Sequence, residues 1–184
     1  MILPIHTYGM PVLRKKAATI TRDYPGLEQL IDDMFETLPK ADGVGLAAPQ
    51  VGYAIRLFII DAAPMEEDDE TLKDFKKVFI NPQIMEEWGE EWAFEEGCLS
   101  VPGYRDEVRR KSNLRIRYLD RDFVEHTEEY DGLKARIIQH EYDHTQGILF
   151  VDRLNPLRKK LIRGRLNNIT KGKVEVKYKA KFAG

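Results

Sequence analysis

The segment QHEYDH at positions 139–144 holds the residues best suited to chemistry: two histidines four positions apart, with a glutamate beside the first. On an α-helix, residues i and i+4 share a face, so His140 and His144 can bind one metal ion. Glu141 points roughly 100° around the helix and can reach a water molecule on that ion without being a ligand. This HExxH pattern is typical of metal-dependent hydrolases. The alternative is a surface helix that matches the pattern by chance.

A catalytic site of this type needs a third protein ligand, and the sequence after His144 offers none that fits. Phe150 occupies the position where an extended HExxHxxGxxH site has its third histidine, and a phenyl ring cannot bind a metal. The two acidic residues after His144 lie just past the helix and in a lysine-rich segment. The third ligand is therefore expected upstream, among Cys98, His126 and His6. We expect these two histidines to be solvated or capped.

Cys98 is the only cysteine, so the chain can form no internal disulfide. It lies in EEGCLSVPG, where Gly97 permits an unusual backbone and Ser-Val-Pro favours an extended exit. Counting alone favours a buried, unreactive thiol. A cysteine nucleophile with a histidine base is a further alternative, but it leaves the second histidine and Glu141 without a role. A thiolate binds Zn²⁺ or Fe²⁺ strongly, and a Cys-His-His site keeps a fourth position open for water.

Hydrophobic periodicity predicts the elements that position these residues. LEQLIDDMFETL has apolar residues at helical spacing, and the HExxH pattern lies in a second helical segment. LRIRYLD alternates apolar and basic residues, which is typical of a half-buried strand. Helices are predicted at 27–38, 131–147 and 155–169, strands at 56–61, 77–82, 114–120 and 174–182, a glycine-rich turn region at 43–52 and a loop at 62–76.

The order of a helix, several strands and two further helices indicates an α+β fold rather than repeated βαβ units. We predict short mixed or antiparallel strands packed around a central HExxH helix, with an N-terminal helix and a C-terminal helix. A chain of 184 residues suits one compact domain, so residues 1–184 are assigned to a single catalytic domain.

Composition and charge limit the classes of partner that this protein can be expected to bind. Apolar residues make up 42% and charged residues 33% of the chain, as in ordinary globular proteins. No apolar run is long enough to span a bilayer, and no secretory signal is visible, so we expect a cytoplasmic protein. From position 153 onward, eleven Lys and Arg face one acidic residue. A basic tail can meet a polyanion such as RNA, whereas we expect neither DNA nor a membrane as a partner.

Three segments together resemble the motifs of the peptide deformylase family. These are GVGLAAPQ at 43–50, EGCLS at 96–100 and QHEYDH at 139–144, in the order found in that family. The resemblance implies removal of the formyl group from the N-terminal formyl-methionine of newly synthesised polypeptides. It also implies one divalent metal ion per chain, with Fe²⁺ expected in the cell and Zn²⁺, Ni²⁺ or Co²⁺ possible after purification.

The resemblance also implies residue roles. Cys98, His140 and His144 would be the metal ligands, and Glu141 the general acid and base. The Gln50 amide and the Leu99 backbone N–H would stabilise the oxyanion, and Gly45 would bind the substrate backbone.

For the apolar pocket of the methionine side chain our candidates are Val44, Leu133 and Ile137, although ordinary core packing explains them equally well. Arg105 is a candidate contact for the peptide. Arg136 either lines the mouth of the pocket or is exposed. The basic helix with Arg158, Lys159, Lys160, Arg163 and Arg165 is a candidate ribosome-binding surface, and a solvated helix is the alternative.

Two other functions compete with this one. An HExxH metallo-endopeptidase would need another third ligand and would leave GVGLAAPQ and EGCLS unexplained. A noncatalytic module with a structural Cys-His-His site would normally have four protein ligands.

Overall fold

The computed structural model describes all residues, 1–184, and has the α+β fold that the element order predicts. Helix α1 contains the predicted amphipathic segment, and helix α2 carries the HExxH pattern. The helices are α1 Leu27–Lys40, α2 Gly132–Thr145, α3 Pro156–Leu161 and α4 Arg163–Thr170. The strands are β1 Ile5–His6, β2 Gly45–Ala47, β3 Leu57–Asp61, β4 Lys76–Cys98, β5 Val101–Leu119, β6 Glu125–Asp131 and β7 Ala180–Lys181.

The main sheet has five antiparallel strands in the order β2-β3-β4-β5-β6, and β1 pairs with β7 in a separate parallel ladder. Residues 57–60 of β3 are all apolar because both faces of the sheet are covered there. Leu57 and Ile59 pack into a cluster with α1, whereas Phe58 and Ile60 pack into a cluster with α2. Helix α2 contacts β2, β3, β5 and β6, so the predicted central position of the HExxH helix is confirmed.

The strand predicted at 77–82 is much longer than the sequence indicates. We expected Asn81-Pro82 to end it, but β4 continues to Cys98. The register with β5 shifts between Ile80 and Gln83, and Asn81 has a positive φ of 48°. Proline is tolerated at such an irregularity because no ladder hydrogen bond is required of it there. The Asn81 side chain also bonds the backbone N–H and C=O of Ile20, which stabilises this conformation.

The C-terminal region also differs from its prediction. The single helix expected at 155–169 is two helices, which join at Ile162. The strand expected at 174–182 pairs only at Ala180–Lys181, since β1 offers two residues as a partner. The turn region at 43–52 contains β2 and a 3₁₀ turn at Ala48–Val51, and the acidic loop contains 3₁₀ turns at Ala63–Met65 and Glu70–Asp74. No helix combines the length and the apolar composition needed to cross a bilayer.

Candidate metal centre and active site

Cys98, His140 and His144 come together in the structure. Their ligand atoms all lie within 4.8 Å of one another, and the Cys98 Sγ is 3.5 Å from the His144 Nε2. His140 and His144 are one turn apart on α2, as the HExxH spacing requires. One sulfur and two imidazole nitrogens form a soft donor set that suits Zn²⁺ or Fe²⁺. The chemistry of these donors therefore fits a divalent metal ion.

Cys98 is brought to α2 by a tight turn at the end of the β4–β5 hairpin. Cys98 pairs with Val101, so only Leu99 and Ser100 lie between the two strands. We expected an unusual backbone at Gly97, and this is wrong, since its φ is not positive. A Cβ there would lie 2.4 Å from Nη1 of Arg105, so this exposed side chain would have to shift if Gly97 were replaced.

Glu141 is buried beside the two histidines. Its Oε2 has no hydrogen-bond partner in the protein, which suits a carboxylate that faces a water molecule or a cation. Burial raises the pKa of the Glu141 carboxyl to about 7, although the charge of His140 acts in the opposite direction. Gly45 of β2 lies against this carboxylate, and a Cβ at Gly45 would be 2.6 Å from Oε1 of Glu141.

The side-chain amide of Gln50 has a fixed orientation at the edge of the same site. Its Oε1 accepts a hydrogen bond from the Ala47 backbone N–H at 2.9 Å. The Nε2 group therefore faces the hairpin turn, where it donates to Ser100 Oγ at 3.1 Å and lies 3.5 Å from Cys98 Sγ. Gln50 is thus held as a donor next to the candidate metal ligands.

Glu96 was missed as a functional residue by the sequence interpretation, although EGCLS includes it. Its buried Oε1 lies 2.8 Å from Nδ1 of His140. This contact leaves Nε2 of His140 free to bind a metal, and such a carboxylate normally orients a ligating imidazole. Burial raises the pKa of Glu96, but His140 and Arg110 outweigh this effect and hold the pKa well below its usual range. The only sequence signal was its position two residues before Cys98.

Arg136 lies in the wall of the cavity next to the candidate metal ligands, as one of the two alternatives predicted, whereas the alternative of an exposed side chain is wrong. Its relative exposure is 2%, and it donates to Glu96 Oε2 at 2.9 Å and to the carbonyl oxygen of Val108 at 2.8 Å. Its guanidinium lies over the ring of Trp92 at 4.5 Å. Arg136 is buried because Glu96 and the backbone of β4 and β5 supply its partners.

The charged network continues beneath α2. Arg110 donates to Glu96 Oε2 at 2.7 Å and to Asp143 Oδ2 at 2.9 Å, and Arg153 donates to both carboxylate oxygens of Asp143. Asp143 precedes His144 on the helix. The network thus joins the β4–β5 hairpin to the HExxH helix.

A cavity of about 800 Å³ opens onto Cys98, His140 and Glu141, a volume within the range of small-molecule sites. Val44, Gly45 and Ile137 line it, as do Gln50, Leu99 and Arg105. Leu133 does not line this cavity, contrary to our expectation. Leu133 lies one turn before Ile137 on α2. Like Val44, it packs against the core cluster that contains Phe58 and Ile60 of β3.

The remaining two histidines lie away from the candidate metal ligands. His126 is in edge strand β6 and contacts Asp120, as a solvated or capped histidine would. His6 is buried in β1, where the sequence interpretation expected solvent or a cap. It is buried because β1 lies between β7 and the 3₁₀ turn at Ala48–Val51.

Comparisons with known proteins agree with this geometry. The family model described as Polypeptide deformylase matches residues 2–160. The chain is 57% identical over 189 residues to a peptide deformylase of Christiangramia forsetii, covering 99% of this chain and 96% of that relative. It is 53% identical over 190 residues to one from Flavobacterium johnsoniae, covering 100% and 97%. A crystal structure of a peptide deformylase from Legionella pneumophila has a TM-score of 0.81 and 40% identity, covering 94% and 98%.

An HExxH helix packed in this α+β fold defines a metal-dependent hydrolase. The chain belongs to the peptide deformylase family. Its reaction is the hydrolysis of the formyl-methionyl amide at the N-terminus of new polypeptides, with release of formate. The endopeptidase alternative is not favoured by any of these comparisons.

Proposed function

We propose that Cys98, His140 and His144 hold the single divalent ion of this deformylase and that Glu141 transfers the proton. The observation that supports this assignment is the convergence of one thiol and two imidazoles within 4.8 Å, next to a buried carboxylate. When bound, the ion would lower the pKa of a water molecule and polarise the formyl oxygen. Glu96 would orient His140 through its Nδ1.

The protein residues carry the proton and the developing charge. Glu141 accepts a proton from the water that attacks the formyl carbon, and a negative charge develops on the formyl oxygen. The Gln50 Nε2 and the backbone N–H of Leu99 donate hydrogen bonds to that oxygen. Glu141 then gives its proton to the departing amine, so that the bond to the formyl carbon breaks and formate and a free methionine amine result.

Substrate binding is assigned to the walls of the cavity. Val44 and Ile137 contact the methionine side chain, and the backbone of Gly45 binds the peptide. Arg105 lines the outer cavity and contacts the peptide beyond methionine. Leu133 is not part of this pocket, because it packs against the core cluster and does not line the cavity. Residues 1–184 act as one catalytic domain in this proposal.

The variant Glu141→Gln tests the catalytic assignment, because it keeps the shape of the side chain and removes the proton acceptor. Turnover of a formyl-methionyl peptide should fall by at least about 10²-fold, while elemental analysis finds the same metal content as in the wild type. Glu107→Gln is the control, since Glu107 is exposed and does not line the cavity. Wild-type turnover by Glu141→Gln would refute the assignment.

The ion and the cellular setting are further parts of the proposal. The family resemblance favours Fe²⁺ in the cell, with Zn²⁺, Ni²⁺ or Co²⁺ as substitutes that these ligands accept. Elemental analysis of protein purified without oxygen tests this, and zinc as the main metal under those conditions would contradict it. The nascent-chain substrate favours the cytoplasm as its location.

The exposed basic side chains of α3 and α4 favour binding to a second partner, ribosomal RNA. Lys159, Lys160 and Arg163 are exposed, whereas Arg158 also pairs with Asp106 and Arg165 donates to the carbonyl oxygen of Gly103. Changing Lys159, Lys160 and Arg163 to Glu should abolish co-sedimentation with ribosomes. The control variant changes Lys15 and Lys16, two exposed lysines near the N-terminus, to Glu. Unchanged co-sedimentation of the triple variant would refute ribosome binding by this surface.

A further inference from the structure

The segment 174–178, which lies between α4 and β7, forms one side of the cavity. Glu175, Val176, Lys177 and Tyr178 all line it. Val174, Val176 and Tyr178 are half-buried, whereas Glu175 and Lys177 are exposed. Half-buried and exposed residues therefore alternate along the segment, as the sequence predicts, although only Ala180–Lys181 pair as a strand. This segment lies outside the residues matched by the family model, which ends at 160.

The segment is anchored on both sides, so its position over the cavity is defined. Before it, the Lys173 N–H donates to the carbonyl oxygen of Asn168 at 2.8 Å, and Val174 packs against a buried apolar cluster. After it, the Ile5 N–H donates to the carbonyl oxygen of Lys179 at 2.8 Å where β7 joins β1. These contacts hold the segment at both of its ends.

Tyr178 contacts that turn directly. Its hydroxyl donates to the carbonyl oxygen of Leu99 at 2.7 Å, and Leu99 directly follows Cys98 in the chain. The other turn residue, Ser100, is held by the Tyr8 N–H, 2.7 Å from its carbonyl oxygen, and by the Gln50 amide at its Oγ. The two-residue turn is therefore fixed by three separate parts of the chain, and Tyr178 is the part that fixes Leu99.

The hydroxyl of Tyr178 remains a donor across the physiological pH range. Burial, and then the nearby Cys98 sulfur, raise the pKa of the Tyr178 phenol well above its usual value. A phenol that keeps its proton can donate to a carbonyl oxygen, which only accepts.

We propose that Tyr178 is a positioning residue for deformylation: by holding the carbonyl group of Leu99, it restrains the backbone of the turn on one side of the Leu99 Cα. The Leu99 N–H, in the peptide unit on the other side of that Cα, is thereby kept directed toward the oxygen of the formyl group. This inference rests on the proposed role of the Leu99 N–H as an oxyanion donor. The C-terminal segment is thus part of the active site, although it contains none of the three sequence motifs. A hydrogen-bond donor that is already fixed in position stabilises the transition state more strongly than it stabilises the bound substrate.

The variant Tyr178→Phe removes the hydroxyl and keeps the ring. Removing an oxyanion donor outright costs about 10²–10³ in kcat, and a donor that is only loosened should cost less, about tenfold, with KM within about twofold. Tyr24→Phe is the matched control, because Tyr24 and Tyr178 both pack against the apolar cluster that contains the buried face of α1, and Tyr24 does not line the cavity. Both variants are loaded with Zn²⁺ and assayed below their unfolding transitions, and their metal content should equal that of the wild type.

A second measurement reports on the conformation of the Leu99–Ser100 turn independently of catalysis. In ¹H–¹⁵N spectra of the zinc-loaded protein, the Leu99 and Ser100 amide signals should shift in Tyr178→Phe, and the Leu99 amide should exchange faster with solvent. If neither the amides nor kcat change, positioning by Tyr178 is refuted while the roles of Glu141 and Leu99 stand. If the amides shift but kcat does not fall, the role of Tyr178 in catalysis is likewise refuted. A rise in KM alone, or a variant that does not fold, would also refute the proposal, because it would make Tyr178 a substrate contact or a purely structural residue.

Discussion

The Nδ1 atom of His140 lies 2.8 Å from the Oε1 atom of Glu96, two residues before Cys98 in the chain. One buried carboxylate therefore joins the strand that carries the thiol to the helix that carries both imidazoles. The same carboxylate accepts hydrogen bonds from Arg110 and Arg136. Its position and its charge thus depend on partners from two other elements, α2 and β5, and the orientation of the His140 ring depends on it.

Replacing Glu96 by Gln should weaken metal binding. The amide cannot match the charge of a carboxylate that is surrounded by two arginines and an imidazole, so His140 loses its orienting partner. Loss of such a partner typically lowers metal affinity about 10–100-fold, which competition with a chelator measures at fixed pH. Glu95→Gln is the control, because the Glu95 side chain is exposed and makes only a 3.4 Å contact to Arg105. Equal affinities of the two variants would show that Glu96 does not support the ligand.

Replacing Arg136 by Ala should destabilise the fold. The change removes a buried partner of Glu96 together with hydrogen bonds to the carbonyl oxygens of Val108 and Trp92. Breaking a buried ion pair of this kind costs about 3–5 kcal/mol, which urea unfolding measures. Arg109→Ala is the comparison, since Arg109 is exposed and 3.9 Å from Glu91, and such pairs contribute about 0–1 kcal/mol. A similar small loss in both variants would contradict the prediction.

Replacing Gly45 by Ala should lower turnover without unfolding the protein. The new Cβ would lie 2.6 Å from Oε1 of Glu141, so the carboxylate must move. Misplacing a catalytic group by about 1 Å can cost about 10²-fold in rate, and steady-state kinetics should find kcat reduced by at least about tenfold. Gly164→Ala in α4 is the control, because nothing lies within 4 Å of a Cβ there and alanine favours a helix. Full activity of Gly45→Ala would show that Glu141 tolerates displacement.

The buried His6 should make stability depend on pH. Burial, together with the nearby charge of Lys181, lowers the pKa of His6 below its usual value of 6.5. Between that lowered pKa and 6.5 the unfolded chain binds a proton that the folded chain does not, so the free energy of unfolding falls as the pH falls through this window. Above pH 6.5 the His6 imidazole is neutral in both the folded and the unfolded chain, so the contribution of His6 to the free energy of unfolding is fully present.

His6→Gln isolates this effect. At pH 8 the variant should be less stable than the wild type, because it packs less well against Gly52. The difference in unfolding free energy should shrink toward pH 5, since only the wild type loses the histidine contribution. A difference that stays constant from pH 8 to pH 5 would exclude this role of His6.

The sequence predicted the elements whose signals are local. The apolar spacing of 27–38 predicted α1, the run at 56–61 predicted β3, and the i, i+4 histidines predicted their shared face on α2. It failed at Asn81-Pro82, since a bulge that depends on the partner strand and on Ile20 lets β4 continue. It left Arg136 open between the cavity wall and an exposed position, because the buried partners of this arginine are distant in the chain.

The sequence by itself determined the α+β class, the HExxH helix and, through three motifs, the family of the enzyme. Only the tertiary structure decided that Glu96 supports His140 across 44 residues and that Tyr178 contacts Leu99 across 79 residues. The reason is the range of the interactions. Helical periodicity relates residues within one or two turns, so it can be recognised from residues that are close together in the sequence. Contacts across the chain depend instead on the register of a long hairpin and on the path of the C-terminal segment, which are set by packing.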